Sequence, residues 1–362
     1  MGSPLNLIPP RVQALAMRAL IGLPEPVLRV LAGRPIVVDG QRLAPGAQLI
    51  LRVQRLVETG FSAGRAPGRA RAAFEQLNRI LNAAWQGRVD TREFSLPGPA
   101  GPLRARLYEP PGRAAQTPLL VFFHGGGWAI GSLDSHDMLG HFFAEYAGVR
   151  VLSVEYRLAP EHPFPAAVED AQAAYRYAVA HAEELGADPG AIAVGGDSAG
   201  GNLAGVVAAT VEPRPAFALM LYPATDATTV RPSRRLFAKG FFLGEEQIIW
   251  FRGQYVPDAS TYADPRFSVL RTEDLSGFPP TYIATAGFDP LRDEGEAFAE
   301  RLREVGAPVA LQRQRELFHG FANLVGIDRR CRCAMMQAAG ALRAGLAFGR
   351  GQFETVPQRP LE

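Results

Sequence analysis

Apolar runs of strand length that alternate with helical patterns predict an α/β chain built on a mostly parallel sheet covered on both faces. Three observations carry this reading. The runs Leu119 to Phe123, Arg150 to Val154, Ala191 to Val194, Ala218 to Leu221, Thr281 to Thr285 and Val309 to Arg313 are nearly continuous in apolar residues, as strands buried on both faces are. Between several of them lie amphipathic or small-residue patterns of helical spacing: Leu139 to Tyr146, Ala166 to Leu185, Leu203 to Val211 and Glu294 to Val305. Finally, 362 residues, 47% of them hydrophobic, are enough for one large α/β domain or two smaller ones.

Taken in order, residues 1–90 read as a helical segment without strands. Val12, Leu15, Ala16 and Leu20, then Leu49, Leu51, Val53 and Leu56, recur at helical spacing, with Pro24, Pro26 and Pro45 as breaks. A further amphipathic stretch runs from about Arg69 to Trp85, and Gly60 to Gly68 reads as a hinge or linker. Such a preface is expected to form part of a cap over the body at 91–362. That body opens with an antiparallel hairpin, Glu93 to Leu96 and Leu103 to Tyr108, around the Pro-rich turn at 97–102. An interval at about 224–280 breaks the strand and helix rhythm. Its Phe237, Phe241, Phe242, Trp250, Phe251 and Tyr255 suit an insertion that caps the strand ends.

Composition excludes several classes. The net charge is +2, and the arginines are scattered among acids, so no nucleic-acid stripe is implied. Cys331 and Cys333 fall on different faces of a predicted helix, which supports neither a disulfide nor a metal site. No apolar run approaches the roughly 18 residues of a membrane span. Pro9, Pro10, Arg11 and Arg18 interrupt any signal-peptide core, and a soluble, cytoplasmic protein is expected.

Gly196-Asp-Ser-Ala-Gly200 follows the strand at Ala191 to Val194 and precedes a helix. A serine on so tight a turn takes a strained backbone, and the flanking glycines let strand and helix close on one another. Ser198 is therefore the candidate nucleophile. His124-Gly-Gly-Gly-Trp128 directly follows another strand, and three glycines allow N–H groups to converge on a developing oxyanion. Gly125, Gly126 and Ala199 are the expected donors, with Gly127 as the alternate. Of six histidines, His124 is expected to fix the glycine loop, His136, His141 and His181 to pack or face solvent, and His162 to sit in a proline-rich turn. His319, after the last strand and before Gly320, is the candidate base. Asp289, after Thr281 to Thr285, is the candidate acid, although the same position suits a helix N-cap. Asp293 and Glu294 are expected to serve the helix N-terminus, and Pro290 to open that helix. The order serine, acid, histidine matches one of the three known orders of such triads.

These pieces, together with Tyr156-Arg-Leu-Ala-Pro-Glu161 and His162-Pro-Phe-Pro165, resemble the hormone-sensitive-lipase-like family of bacterial esterases from about residue 91 to 348. The resemblance implies an α/β-hydrolase fold of eight strands with a helical cap, and a serine carboxylesterase acting on short- to medium-chain acyl esters. It implies no cofactor and no metal, and a small-molecule ester as partner; a homodimer is compatible with it. Tyr156 to Glu161 is expected to brace the oxyanion loop. An amidase or peptidase, or a non-catalytic small-molecule receptor, could use the same scaffold.

Overall fold

The computed structural model describes residues 8–56, 66–85, 87, 89–112 and 116–349, with backbone alone at the last two. Strands β3 (Asp90–Gly98), β4 (Gly101–Glu109), β5 (Thr117–Phe123), β6 (Arg150–Val154), β7 (Ala187–Asp197), β8 (Phe217–Leu221), β9 (Thr281–Phe288) and β10 (Val309–Phe318) form one sheet in the order β10-β9-β8-β7-β5-β6-β4-β3. From β6 to β10 every pairing is parallel, while β4 runs antiparallel to both β6 and β3. This is the eight-stranded, mostly parallel sheet anticipated above.

The strands are apolar throughout because each face meets helices. Leu119, Val121 and Phe123 of β5 join one core with Ala171 of α6 (Ala166–Ala180), Leu203 of α7 (Ala199–Thr210) and Phe298 of α10 (Arg292–Glu304). Leu120 and Phe122 point the other way, into a second core with Phe142 of α5 (Asp137–Ala147) and Leu342 of α11 (Arg329–Gly349). This alternation is the two-residue period of a strand with two buried faces. Helix α7 is buried on nearly every side from Ala199 to Ala209, and its small residues let it lie close to the sheet. On α11, Cys331 is buried and Cys333 exposed, on the different faces expected. Several boundaries differ from the sequence reading. Helix α6 stops at Ala180, with turns continuing to Leu185, and α10 starts at Arg292, two residues after Pro290.

The preface holds α1 (Pro10–Ile21), α2 (Glu25–Ala32), α3 (Pro45–Leu56) and α4 (Pro67–Ala83). It is not free of strands: Val37–Val38 and Gln41–Arg42 form a small antiparallel pair, β1 and β2. The cause is local. Asp39 and Gly40 both take positive φ, 54° and 66°, as a two-residue Asp-Gly hairpin turn requires. Most of the expected hinge, residues 60–65, lies outside the described residues, and its end at Pro67 and Gly68 is already helix. The preface docks along the carboxyl edge of the sheet. Ala44 N–H donates to Glu316 O at 3.0 Å, Gln41 Nε2 to Gly287 O at 3.3 Å, and Arg292 pairs with Asp39 at 2.9 Å. The insertion carries α8 (Pro232–Leu236) and α9 (Glu245–Tyr255) and packs its aromatics inward, with Tyr255 stacked 4.8 Å from Trp128. Among the described residues no helix is long and apolar enough to cross a membrane.

Candidate active site

Four strand ends converge on one place. β7 ends at Asp197, and Ser198 turns the chain into α7 with φ 55° and ψ −115°, a left-handed backbone that a residue with a side chain rarely adopts. The turn closes so tightly that a Cβ on Gly196 would strike the backbone of Gly200, and one on Gly200 the backbone of Phe123. Ser198 N–H donates to Leu221 O at the end of β8 (2.8 Å), which pins the turn to the neighbouring strand.

From Ser198 a relay runs across the sheet edge. Its Oγ lies 3.0 Å from His319 Nε2, and His319 Nδ1 lies 2.7 Å from Asp289 Oδ2. His319 follows β10 and Asp289 follows β9, so adjacent parallel strands bring together residues 30 positions apart. Asp289 is fully buried, and its other oxygen accepts Leu291 N–H at 2.8 Å. That bond closes a turn ahead of α10, whose cap position is Leu291, so Asp289 does not cap the helix. The Tyr222 ring, centred 4.7 Å from the imidazole, fills the space beside it.

The glycine loop differs from expectation at one residue. Gly125 N–H points down and donates to Asp197 Oδ1 at 2.8 Å, so it is spent inside the protein and does not face an oxyanion. Gly126 and Gly127, at φ 119° and 57°, are turned the other way. Their N–H groups and that of Ala199, at the start of α7, take no partner among the described residues and border the same cavity. The N–H groups that border the cavity unbonded are therefore those of Gly126, Gly127 and Ala199, while that of Gly125, expected among them, is an internal anchor.

That anchor rests on buried polar groups. Asp197 lies at the centre, with His136 Nε2 3.4 Å from Oδ1 and the Tyr222 hydroxyl donating to Oδ2 at 3.4 Å. Burial pushes the Asp197 carboxyl up, but the His136 imidazole and the Gly125 N–H outweigh it and hold it below the usual carboxylate range. His124 is also fully buried, which depresses its pKa to about 3, assisted by His136. It is a neutral imidazole whose Nδ1–H donates to Gly125 O at 2.8 Å, since a carbonyl can only accept. Tyr156 stacks on the His124 ring at 4.3 Å, and its hydroxyl donates to His124 O at 2.7 Å. Ala159 N–H donates to Trp128 O at 2.8 Å. Tyr156 to Glu161 does brace the loop. Arg71 of α4 locks the brace from outside, donating to Ala129 O, Ala159 O and Glu161.

The family model described as alpha/beta hydrolase fold matches residues 120–323. The carboxylic ester hydrolase LipN of Mycobacterium tuberculosis is 45% identical over 345 residues, covering 92% of this chain and 91% of its own. The chain belongs to this family. Its hormone-sensitive-lipase-like features are those anticipated from the motifs, and it is a carboxylic ester hydrolase. An ethyl acetate hydrolase of Pseudomonas putida is 37% identical, over 75% of this chain and 91% of its own. Among solved structures, the hyperthermophilic esterase of Pyrobaculum calidifontis superposes with a TM-score of 0.81 at 35% identity, covering 83% of this chain and 98% of that one.

In this hydrolase a cavity opens beside Ser198 and His319. Phe251 and Phe267 of the insertion, Phe242 before α9 and Phe74 of α4 supply much of its apolar wall. Several polar residues on the same wall, among them His136, Arg252 and Glu294, were not singled out from sequence: His136 was expected to pack or face solvent and Glu294 to serve a helix N-terminus. Glu294 is buried, and burial raises its pKa to about 7 although the N–H groups of Thr225 and Asp226 and the charge of Arg252 oppose it. Asn202 ties the nucleophile helix to the insertion, its Nδ2 donating to Ala224 O at 2.9 Å and Phe267 O at 2.8 Å. A strand-end signal marks the triad, whereas these residues reach the cavity only through long-range folding.

Proposed function

We propose that Ser198 is the nucleophile, His319 the base and Asp289 its orienting acid in the hydrolysis of acyl esters by way of an acyl-serine. The observation that carries this is the unbroken relay of 2.7 and 3.0 Å that ends beside three outward N–H groups. His319 Nε2 takes the hydroxyl proton as Ser198 Oγ attacks the ester carbonyl. Asp289 keeps the proton on Nδ1 and balances the charge that the imidazole gains. Gly126, Gly127 and Ala199 hold the oxyanion until the alcohol leaves, taking the proton from Nε2. Water repeats the sequence on the acyl-serine.

The substrate we infer is a small ester with a short to medium acyl group, supported by the apolar, largely aromatic wall around Ser198. Residues 1–90 serve as part of the cap with the insertion at about 224–280. Phe74 from the first and Phe251 from the second lining one cavity support this assignment. A cytoplasmic location is part of the same reading. So is a homodimer, for which the exposed apolar side chains Leu15, Val30 and Val37 speak.

A fluorophosphonate should label the wild-type protein and leave Ser198→Ala unlabelled. Matched ester and amide substrates separate an esterase from an amidase. Labelling that persists in Ser198→Ala would remove the assignment.

A further inference from the structure

Several arginines in this protein hold one carboxylate through the edge formed by Nε and Nη2. Arg234 holds Glu245 at 2.6 and 2.8 Å, Arg157 holds Asp170 at 2.9 and 2.8 Å, and Arg266 holds Asp264 at 3.1 and 2.7 Å. Such a planar fork matches the two oxygens of a carboxylate. Arg252, on the wall of the Ser198 cavity, has the same edge open. Its Nη1 donates to Ala227 O at 3.1 Å and its Cζ lies 5.6 Å over the Tyr262 ring, so the guanidinium is held in place. Nε and Nη2 make no hydrogen bond among the described residues, no carboxylate stands within ion-pair distance, and neither atom is sealed from solvent. A half-buried guanidinium with a fixed but unfilled fork has given up part of its hydration without gaining an ionic partner.

We propose that Arg252, with Glu294 beside it, forms a carboxylate-reading subsite in the catalytic cavity, so that preferred substrates are esters carrying a free carboxylate elsewhere on their skeleton. This rests on the esterase reading of Ser198 and names its substrate class. Glu294 suits the role. Its Oε1 accepts N–H groups from Thr225 (2.9 Å) and Asp226 (3.3 Å), while Oε2 takes no protein hydrogen bond. With its pKa near 7, a share of Glu294 is the neutral acid at neutral pH and can donate to the same carboxylate. Asp226, the other acid on this wall, is engaged with Thr228 and with Arg231. The remaining charges felt by Arg252 are Arg234 and Glu245, already forked to each other.

The test compares two pairs of ester series on the full chain. In the first, p-nitrophenyl hemiesters of linear dicarboxylic acids are set against p-nitrophenyl alkanoates of equal length. In the second, acetate esters of linear hydroxy acids are set against those of the corresponding methyl hydroxyalkanoates. The readout is the ratio of kcat/KM for the charged ester to that of its neutral partner, so a general loss of activity cancels. In at least one series the wild-type ratio should peak at one chain length and fall roughly 10- to 100-fold in Arg252→Met, through KM. Arg252→Lys should recover part of it, since it keeps the charge and loses the fork. Should the variants not fold, inhibition of wild-type turnover of neutral esters decides: a linear dicarboxylate monoester amide must inhibit less well than its free acid. Equal ratios in wild type and Arg252→Met in both series, or equal inhibition by acid and amide, would overturn the subsite. Failure of the wild type on every ester, charged and neutral, would instead remove the esterase reading beneath it.

Discussion

Replacing Asp197 with alanine cuts the oxyanion loop from its anchor while leaving every reacting group in place. Gly125 N–H donates to Asp197 at 2.8 Å inside a site closed to water, and an N–H to a charged acceptor contributes about 1.5–3 kcal/mol. Removing the acceptor leaves that N–H buried and unpaired, and the loop can satisfy it only by moving. Gly126 and Gly127 must move with it, because they are the next two residues. Their interaction with the substrate is strongest when charge has developed on the carbonyl oxygen, so the loss should appear in kcat more than in KM. At about 1.4 kcal/mol per decade, the expected fall in kcat is roughly 10- to 100-fold. Asp197→Asn keeps an acceptor for Gly125 but not its charge, and should fall between wild type and alanine. Steady-state kinetics on a neutral acyl ester, with thermal melting to verify folding, would decide. A folded Asp197→Ala with wild-type kcat would mean that Gly125 is held by something other than this bond, and the anchoring argument would fail.

Three further outcomes follow from the same geometry. Ser198→Ala, His319→Ala and the double variant should converge on a similar residual rate, because the relay works as a unit; additive losses measured by kcat/KM would contradict it. Glu294 has a folded pKa raised from 4.5 to about 7, so the folded state holds a proton that the unfolded state releases. Its contribution to stability is present below about pH 4.5 and is lost as pH rises through 7; urea unfolding of Glu294→Gln should show a flatter slope across that window. Phe74→Ala removes a side chain shared by the catalytic cavity and a second apolar space lined by Met17, Val53 and Leu77. The acyl-length optimum should shift to longer chains, at a stability cost of about 3 kcal/mol or more. An unchanged profile in a folded variant would show that α4 does not bound the acyl side.

The proposed triad was legible because Ser198, Asp289 and His319 each follow a readable strand, and a parallel sheet delivers all strand ends of one polarity to one edge. The loop's donor set was not, because the direction of each N–H depends on the positive φ of Gly126 and Gly127, and three identical residues carry no sign of it. The small hairpin at Val37 to Arg42 was within reach: Asp39-Gly40 between β-branched and polar residues is a hairpin signature, masked by helical patterns on either side. Arg71 and Glu294 sit on amphipathic helices and Arg252 on α9, where a charge ordinarily means a wet face. Only tertiary packing turns those faces toward loop and cavity.

The docking of the preface has a consequence for how the chain assembles. Ala44 finds its acceptor at Glu316, Gln41 at Gly287 and Arg71 at Ala129 and Ala159, so the partners of the first helices are synthesised long after them. Contacts so distant along the chain must await closure of very large loops, and they form late. The sheet with its flanking helices can gather first from more local βα units, with the preface settling onto a finished edge. Until then the apolar stripes of α1 and α3, including Ala14, Leu49 and Leu51, have no core to join, and association with other chains competes with docking. A nascent chain halted before residue 316 would carry those helices with nowhere to place them.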